Sequence, residues 1–219
     1  AILGLISRKG GCTVSDRISI LHPEYLTVSG PDGEAYRGAD QEWFPTPWQR
    51  RAGCGPTAAA VITAYLGQTV PGWGNLFPEG SMKRAAFAAH MCRVWEYVTP
   101  GPHGLNRPEV FAAGLDAYGA ARGVPLHAQV MELPARRSER PDWTVWAGFI
   151  RAALERDRPV AFLNLCNGKV KELDWWHWVT IVALEGSAAT ILDSGREFPI
   201  DLERWLATTR KRGGVVTVT

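Results

Sequence analysis

Cys54 has the neighbours that a nucleophilic thiol requires. Apolar side chains follow it at helical spacing, which predicts a helix that begins at Cys54. A thiol is a useful nucleophile only as the thiolate, and the unpaired backbone N–H groups at a helix start favour that anion. Gly53 and Gly55 leave room for a substrate carbonyl, and the Cys54 backbone N–H could bind an oxyanion. The alternative is that Cys54 is a small buried hydrophobic residue.

His177 is the candidate base. It lies in the tryptophan-rich run from Trp175 to Val179, which is typical of a strand. Side chains alternate between the two faces of a strand, so His177 shares a face with Trp175 and Val179. An imidazole between indoles is partly desolvated, and its pKa can respond to a nearby thiolate. The alternative is a core histidine with a satisfied hydrogen bond.

Asp193 ends the next predicted strand, which returns from the His177 strand through a tight turn at residues 185–187. A carboxylate at this end can accept a hydrogen bond from the imidazole and stabilise the imidazolium. The alternative is an aspartate that makes an ordinary turn before Ser194 and Gly195. Together the three residues predict nucleophilic catalysis by a thiol.

The composition excludes several other classes of function. The chain has 219 residues, of which 46% are apolar and 21% are charged, as in ordinary globular domains. Its net charge is +2 and its basic residues are scattered, so no nucleic-acid partner is expected. No apolar run approaches the roughly 20 residues that span a bilayer, so no membrane partner is expected either.

The four cysteines are widely spaced and form no CxxC pair, which argues against a metal site and against a disulfide framework. We therefore expect no metal and no cofactor, and a cytoplasmic location, with secretion not excluded. Residues 1–7 fit a strand better than an intact signal peptide.

The pattern of elements predicts an α+β fold, with helices first and an antiparallel sheet second. Residues 1–47 read as a strand and turn extension, and residues 48–219 as the main domain. The predicted helices cover residues 54–67, 81–97 and 106–123, begin again at Asp142, and include a short one capped by Asp201. Strands are predicted at residues 18–21, 25–28, 34–36, 124–131, 160–165, 175–184, 189–192 and 215–218.

Three segments carry a resemblance to a known family. They run from Trp48 through Cys54-Gly55-Pro56-Thr57 to Gly67, from Phe149 to Phe162, and from His177-Trp178-Val179 to Asp193. In their order and spacing they resemble the papain-like cysteine peptidases. Within that superfamily they resemble the bacteriocin-processing (double-glycine) peptidase branch, in its soluble stand-alone form. The resemblance covers about half of the chain, and residues 1–40 and 68–140 match nothing in the family.

The resemblance implies a papain-like fold, in which a helical half with the cysteine at a helix start packs on a C-terminal antiparallel sheet. It implies cleavage of an amide bond with Cys54 as nucleophile, His177 as general base and then acid, and Asp193 as the residue that orients the ring. It also implies an upstream glutamine as a second oxyanion donor, which would be Gln49. The interval from Gln49 to Cys54 is one residue shorter than the family pattern.

Residues around these positions are expected to bind substrate. The candidates are Trp48, Gly53, Gly55, Trp176 and Trp178. Their tryptophans could screen the His177–Asp193 pair from water or line a cleft for apolar side chains.

Three functions fit this pattern. The first is a cysteine peptidase that acts on a peptide or small amide. The second is an acyltransferase or transglutaminase-like enzyme, which passes the same acyl-thioester to an amine or thiol. The third is an inactive papain-like binding module. The sequence indicates no oligomeric state.

Overall fold

The structure, a computed structural model, describes residues 16–219 as an α+β fold built around one apolar core. The strand predicted at residues 1–7 lies outside this range. The described strands are β1 (Arg17–Ser19), β2 (Thr27–Ser29), β3 (Ala35–Arg37), β4 (Ala128–Leu133), β5 (Val160–Asn164), β6 (His177–Glu185), β7 (Ala188–Asp193), β8 (Arg196–Asp201) and β9 (Gly213–Val218). The α-helices are α1 (Pro47–Ala52), α2 (Cys54–Thr69), α3 (Arg84–Trp95), α4 (Pro108–Ala121), α5 (Trp143–Glu155) and α6 (Leu202–Thr208).

The main sheet is antiparallel and has the order β4-β9-β5-β6-β7-β8, with β1 also paired to β6. Strand β6 lies in the middle of the sheet. It pairs with β5 over its first residues, from His177 to Ile181, and with β1 over its last residues. A separate hairpin is formed by β2 and β3. The predicted α+β class is therefore confirmed, with an N-terminal helical half and a C-terminal antiparallel sheet.

Helix α2 is the central helix, and its residues from Gly55 to Leu66 are buried. Alanines occupy many of these positions, so neighbouring elements can approach the helix closely from several sides. Helix α2 contacts β6 and β5 on the sheet and α3 and α4 in the helical half. A helix that is buried all round is held by tertiary packing, and its first residue is therefore fixed against the sheet.

Several predicted boundaries were wrong. Helix α3 begins at Arg84 with Lys83 as its N-cap, whereas Ser81 was the predicted cap. The strand predicted over 25–28 starts as a 3-10 turn, Pro23–Leu26, because Pro23 favours a turn start. Strand β6 begins at His177 and not at residue 175, because Trp176 has a φ of 60° and breaks the extended backbone.

Two elements were not predicted at all. Among the described strands, β8 pairs with β7 alone, and its largely solvent-facing residues have no continuous apolar pattern. Helix α1 has six residues and starts at Pro47 after the N-cap Thr46. It is too short for helical periodicity to show.

The described part of the predicted N-terminal extension is packed into the same core, through Ile20, Leu26 and Val28. The domain boundary after residue 47 stays a prediction.

Candidate active site

The site begins where α1 gives way to α2. Helix α1 ends at Ala52, Gly53 serves as the cap between the helices, and Cys54 is the first residue of α2. The Gly53 carbonyl accepts the hydrogen bond from Thr57 N at 2.9 Å, which closes the first turn. The thiol of Cys54 is half-buried and free. It therefore lies at the N-terminus of a 16-residue helix, where an anion is stabilised.

The glycines on both sides of Cys54 are required by packing. A Cβ at Gly53 would collide with the Gln49 carbonyl and lie 2.7 Å from the Phe44 ring. A Cβ at Gly55 would lie 2.7 Å from the Leu105 side chain. Both glycines are buried, so close packing explains them without a substrate. Their contact with a substrate stays a prediction.

The sheet places an imidazole and a carboxylate together. His177 is the first residue of β6 and Asp193 is the last residue of β7. Thr180 pairs with Leu192, so Asp193 lies beside the first residues of β6. The His177 Nε2 to Asp193 Oδ1 distance is 2.7 Å, and Ser194 Oγ donates a second hydrogen bond of 2.9 Å to the same oxygen. Nδ1 is therefore the ring nitrogen that is left for Cys54.

The charges of these groups favour an ion pair. Burial lowers the pKa of His177, but hydrogen bonds to Asp193 and Cys54, together with the negative charges of both groups, outweigh burial and raise it to about 10. Burial raises the pKa of Asp193, and the hydrogen bond and charge of His177 outweigh that effect and lower it. The arrangement stabilises the protonated form of His177 beside the ionised carboxylate of Asp193.

A small cavity of about 20 Å³ lies behind these three residues, and Gln41 and Thr57 also line it. Gln41 Nε2 donates to the Arg50 carbonyl at 2.8 Å, whereas its buried Oε1 has no hydrogen-bond partner among residues 16–219. The buried Thr57 Oγ1 also has none. The sequence did not predict that Gln41 lies in the same cavity as Cys54, because the segment between Gln41 and α1 is irregular. The signal that could have found it is that Gln41 is, like Gln49, a glutamine upstream of Cys54.

Gln49 is placed differently from the prediction. Its Oε1 accepts a hydrogen bond from Thr46 Oγ1 at 2.9 Å, and its backbone N–H donates to the same hydroxyl. These contacts cap α1. Gln49 is not among the described residues that line the cavity or the groove beside Cys54. The structure therefore does not bring Gln49 together with the other three predicted catalytic residues.

A larger groove of about 400 Å³ opens on the other side of Cys54. Its walls contain two of the predicted substrate-binding tryptophans, Trp48 and Trp176. The third, Trp178, is buried. Its ring stacks on Phe111 with 4.3 Å between centroids, and its Nε1 donates to the Leu105 carbonyl at 2.6 Å. Trp178 therefore holds the segment that forms one wall of the groove.

Within residues 16–219, no group of three or more His, Cys, Asp or Glu side chains could hold a metal ion. Over the same residues, no helix is both long enough and apolar enough to cross a bilayer.

No protein-family model matches the sequence, and no curated protein matches it significantly. Three solved structures are similar in fold. The first is a double glycine motif protease from an AMS/PCAT transporter, in complex with the leader peptide, with 13% identity and a TM-score of 0.37, covering 76% of this chain and 84% of that one. The second is the Pseudomonas avirulence protein AvrPphB, with 11% identity and a TM-score of 0.35. The match covers 74% of this chain and 90% of that one. The third is a C39-like peptidase from Bacillus anthracis, with 12% identity and a TM-score of 0.37. The match covers 77% of this chain and 88% of that one. The first of these structures is a double glycine motif protease, the branch that the sequence resembles.

Proposed function

We propose that this protein is a thiol-dependent hydrolase that cleaves a peptide or small amide through an acyl-enzyme on Cys54. One observation carries the proposal. A half-buried thiol at a helix start lines the same cavity as an imidazole, and that imidazole is hydrogen-bonded at 2.7 Å to a buried carboxylate. The same thiol lines an open groove that could hold a substrate.

In the first half of the proposed reaction, the Cys54 thiolate attacks the carbonyl carbon of the substrate. The C–S bond forms and the carbonyl oxygen becomes an oxyanion. His177 then donates its Nδ1 proton to the leaving amine as the C–N bond breaks. The products of this half are a thioester on Cys54, a free amine and a neutral imidazole.

In the second half, water attacks the thioester. His177 takes a proton from the water, the C–S bond breaks, and the acid product leaves. The thiolate and imidazolium are regenerated. Throughout, Asp193 keeps Nε2 protonated and holds the ring in place.

We assign the oxyanion to two donors, the Cys54 backbone N–H and the side-chain amide of Gln41. The amide nitrogen of Gln41 has two hydrogens, and the Arg50 carbonyl accepts only one of them. Because Gln41 lines the same cavity as Cys54 and His177, we propose that its second hydrogen binds the oxyanion. Gln41 therefore takes the role that the family resemblance gives to Gln49.

We also place the protein in a reducing compartment, such as the cytoplasm. Cys54, Cys92 and Cys166 are free thiols, and a catalytic thiolate needs to stay reduced.

The proposal is tested by incubating the native protein with a proteome-derived peptide library and detecting new termini by mass spectrometry. Cys54→Ala is the matched control, since it removes only the sulfur from a half-buried position. We expect new termini that depend on Cys54. Products that carry an added amine in place of a new carboxyl terminus would instead indicate an acyltransferase. A native protein that generates neither product would contradict the enzymatic function.

A further inference from the structure

The groove beside Cys54 is lined by exposed tryptophan side chains. All ten tryptophans of the chain lie within the described residues, and three of them are largely exposed. Two of these three, Trp48 at 44% and Trp176 at 42%, line the same groove as Cys54. Exposed indoles in a concave surface are typical of a binding site for apolar groups.

The backbone of Trp176 supports a role beyond packing. Its φ of 60° lies in the left-handed region, which a bulky side chain rarely adopts. Two contacts hold the ring: Nε1 donates to the His103 carbonyl at 3.0 Å, and the Lys211 ammonium lies 4.8 Å from the ring centroid. A strained residue that is held in place while its ring stays exposed, directly before His177, indicates a functional position.

The rest of the groove defines the chemistry of its occupant. Ala52, Pro102 and Leu105 add apolar surface between the two indoles. The exposed Arg51 adds a positive charge, and no Asp or Glu is among the described residues that line the groove. A carboxylate on the substrate could therefore pair with Arg51, whereas a positively charged side chain would meet no carboxylate among the described residues of the groove.

We propose that this groove is the specificity site of the proposed hydrolase, on which the inference rests. It selects peptides that present a bulky apolar side chain to Trp48 and Trp176 and an acidic side chain to Arg51. Because Cys54 lines the same groove, the selected side chains lie next to the bond that is cleaved.

The test uses peptidyl chloromethyl ketones that alkylate Cys54, with phenylalanine or glycine beside the reactive carbon. We expect the phenylalanine probe to label the native protein at least tenfold faster than the glycine probe. Trp176→Ala and Trp48→Ala should each reduce this preference to about twofold or less. Trp48→Ala tests the opposite wall while leaving the Trp176–His103 hydrogen bond intact. Trp175→Ala, an exposed neighbour outside the groove, should keep the full preference.

The charge is tested with probes that carry aspartate or lysine at the next position. The native protein should prefer aspartate, and Arg51→Glu should reverse that preference. Iodoacetamide, which is too small to use the groove, reports separately on the thiol. If its reaction with Cys54 does not depend on His177, the proposed function fails. If it does depend on His177 but the phenylalanine preference is missing or survives both tryptophan variants, only the specificity site is wrong.

Discussion

At the residue scale, the carboxylate of Asp193 controls the charge of His177. The proposed reaction requires the imidazolium, which is lost as the pH rises through the raised pKa of His177. Asp193→Asn keeps a hydrogen-bond acceptor but removes the negative charge that helps to raise this pKa. The alkaline limb of the kcat/KM profile should therefore move to lower pH in this variant.

Ser194→Ala is the matched control for this experiment. It removes the hydroxyl that donates to Asp193 Oδ1 but leaves the carboxylate charged. We expect a smaller movement of the alkaline limb than in Asp193→Asn. An alkaline limb that stays in place in Asp193→Asn would show that the carboxylate does not control the ring.

The two upstream glutamines make a second prediction at this scale. Gln41→Ala should lower kcat by about 10²-fold, as expected for the loss of one oxyanion donor. Gln49→Ala removes contacts with Thr46 at the start of α1, so its effect should fall mainly on stability. Steady-state kinetics of the two variants, with melting temperatures, distinguish the roles. The assignment is wrong if Gln49→Ala shows the larger loss of kcat.

The grouping of Cys54, His177 and Asp193 could be predicted from sequence because each follows from a local pattern. A helix start, a strand and a tight turn place them. The pairing of β6 with β7 also shifts by one residue between Ile181 and Ala183, a shift that no local pattern predicts and that sets the final position of Asp193 beside β6. Gln41 could not be predicted in the same way. It approaches Cys54 through an irregular segment of turns and short helices, whose path depends on tertiary packing.

At the element scale, the junction between α1 and α2 depends on Gly53. Its φ of −84° suits any residue, so the requirement for glycine is purely steric. Gly53→Ala should lower the free energy of unfolding by about 1–3 kcal/mol through overpacking. It should also slow the reaction of Cys54 with thiol reagents, because the clash displaces the start of α2.

Gly148 provides the control for this prediction. It is exposed within α5, and a Cβ there would meet no atom within 4 Å. Gly148→Ala should raise the free energy of unfolding by about 0.5–1 kcal/mol, since alanine favours a helix. Chemical denaturation measures both variants. Equal stability of Gly53→Ala and the native protein would contradict the steric account.

The elements that sequence could not predict share a physical cause. Among the described strands, β8 is an edge strand whose apolar pattern is limited to Phe198 and Ile200 on either side of Pro199, so its pairing with β7 defines it. Trp176 looked like part of a continuous strand because its residue type favours β structure. Its left-handed backbone is set by contacts with His103 and Lys211, which are distant in sequence.

At the scale of the whole molecule, the carboxylate of Glu79 contacts two side chains of α3, His90 and Arg93. His90 on α3 lies in the core, with Nδ1 3.4 Å from Glu79 Oε2, and Arg93 pairs with the same carboxylate. Burial raises the pKa of Glu79, but its bonds to His90 and Arg93 outweigh burial and lower it to about 2. The stability that Glu79 contributes is therefore present above pH 4.5 and is lost as the pH falls towards 2.

Glu79→Gln should lower the free energy of unfolding at pH 7 by about 1–2 kcal/mol, because it removes the carboxylate beside the buried His90, while solvent screens the partly exposed Arg93. The difference from the native protein should shrink steadily below pH 4.5. Denaturation midpoints measured from pH 2 to pH 7 check this. A difference that does not change with pH would show that the ionisation of Glu79 is not linked to folding.

The most direct test of the proposed function is the alkylation rate of each cysteine in the native protein and in His177→Ala, followed by mass spectrometry from pH 5 to pH 8. Cys92 and Cys166 serve as internal references, since neither contacts the site. Cys54 should react at least tenfold faster than either reference, including below neutral pH, and should lose this advantage in His177→Ala. Equal rates for Cys54, Cys92 and Cys166, or a fast Cys54 that is unaffected by His177→Ala, would contradict the thiolate–imidazolium pair.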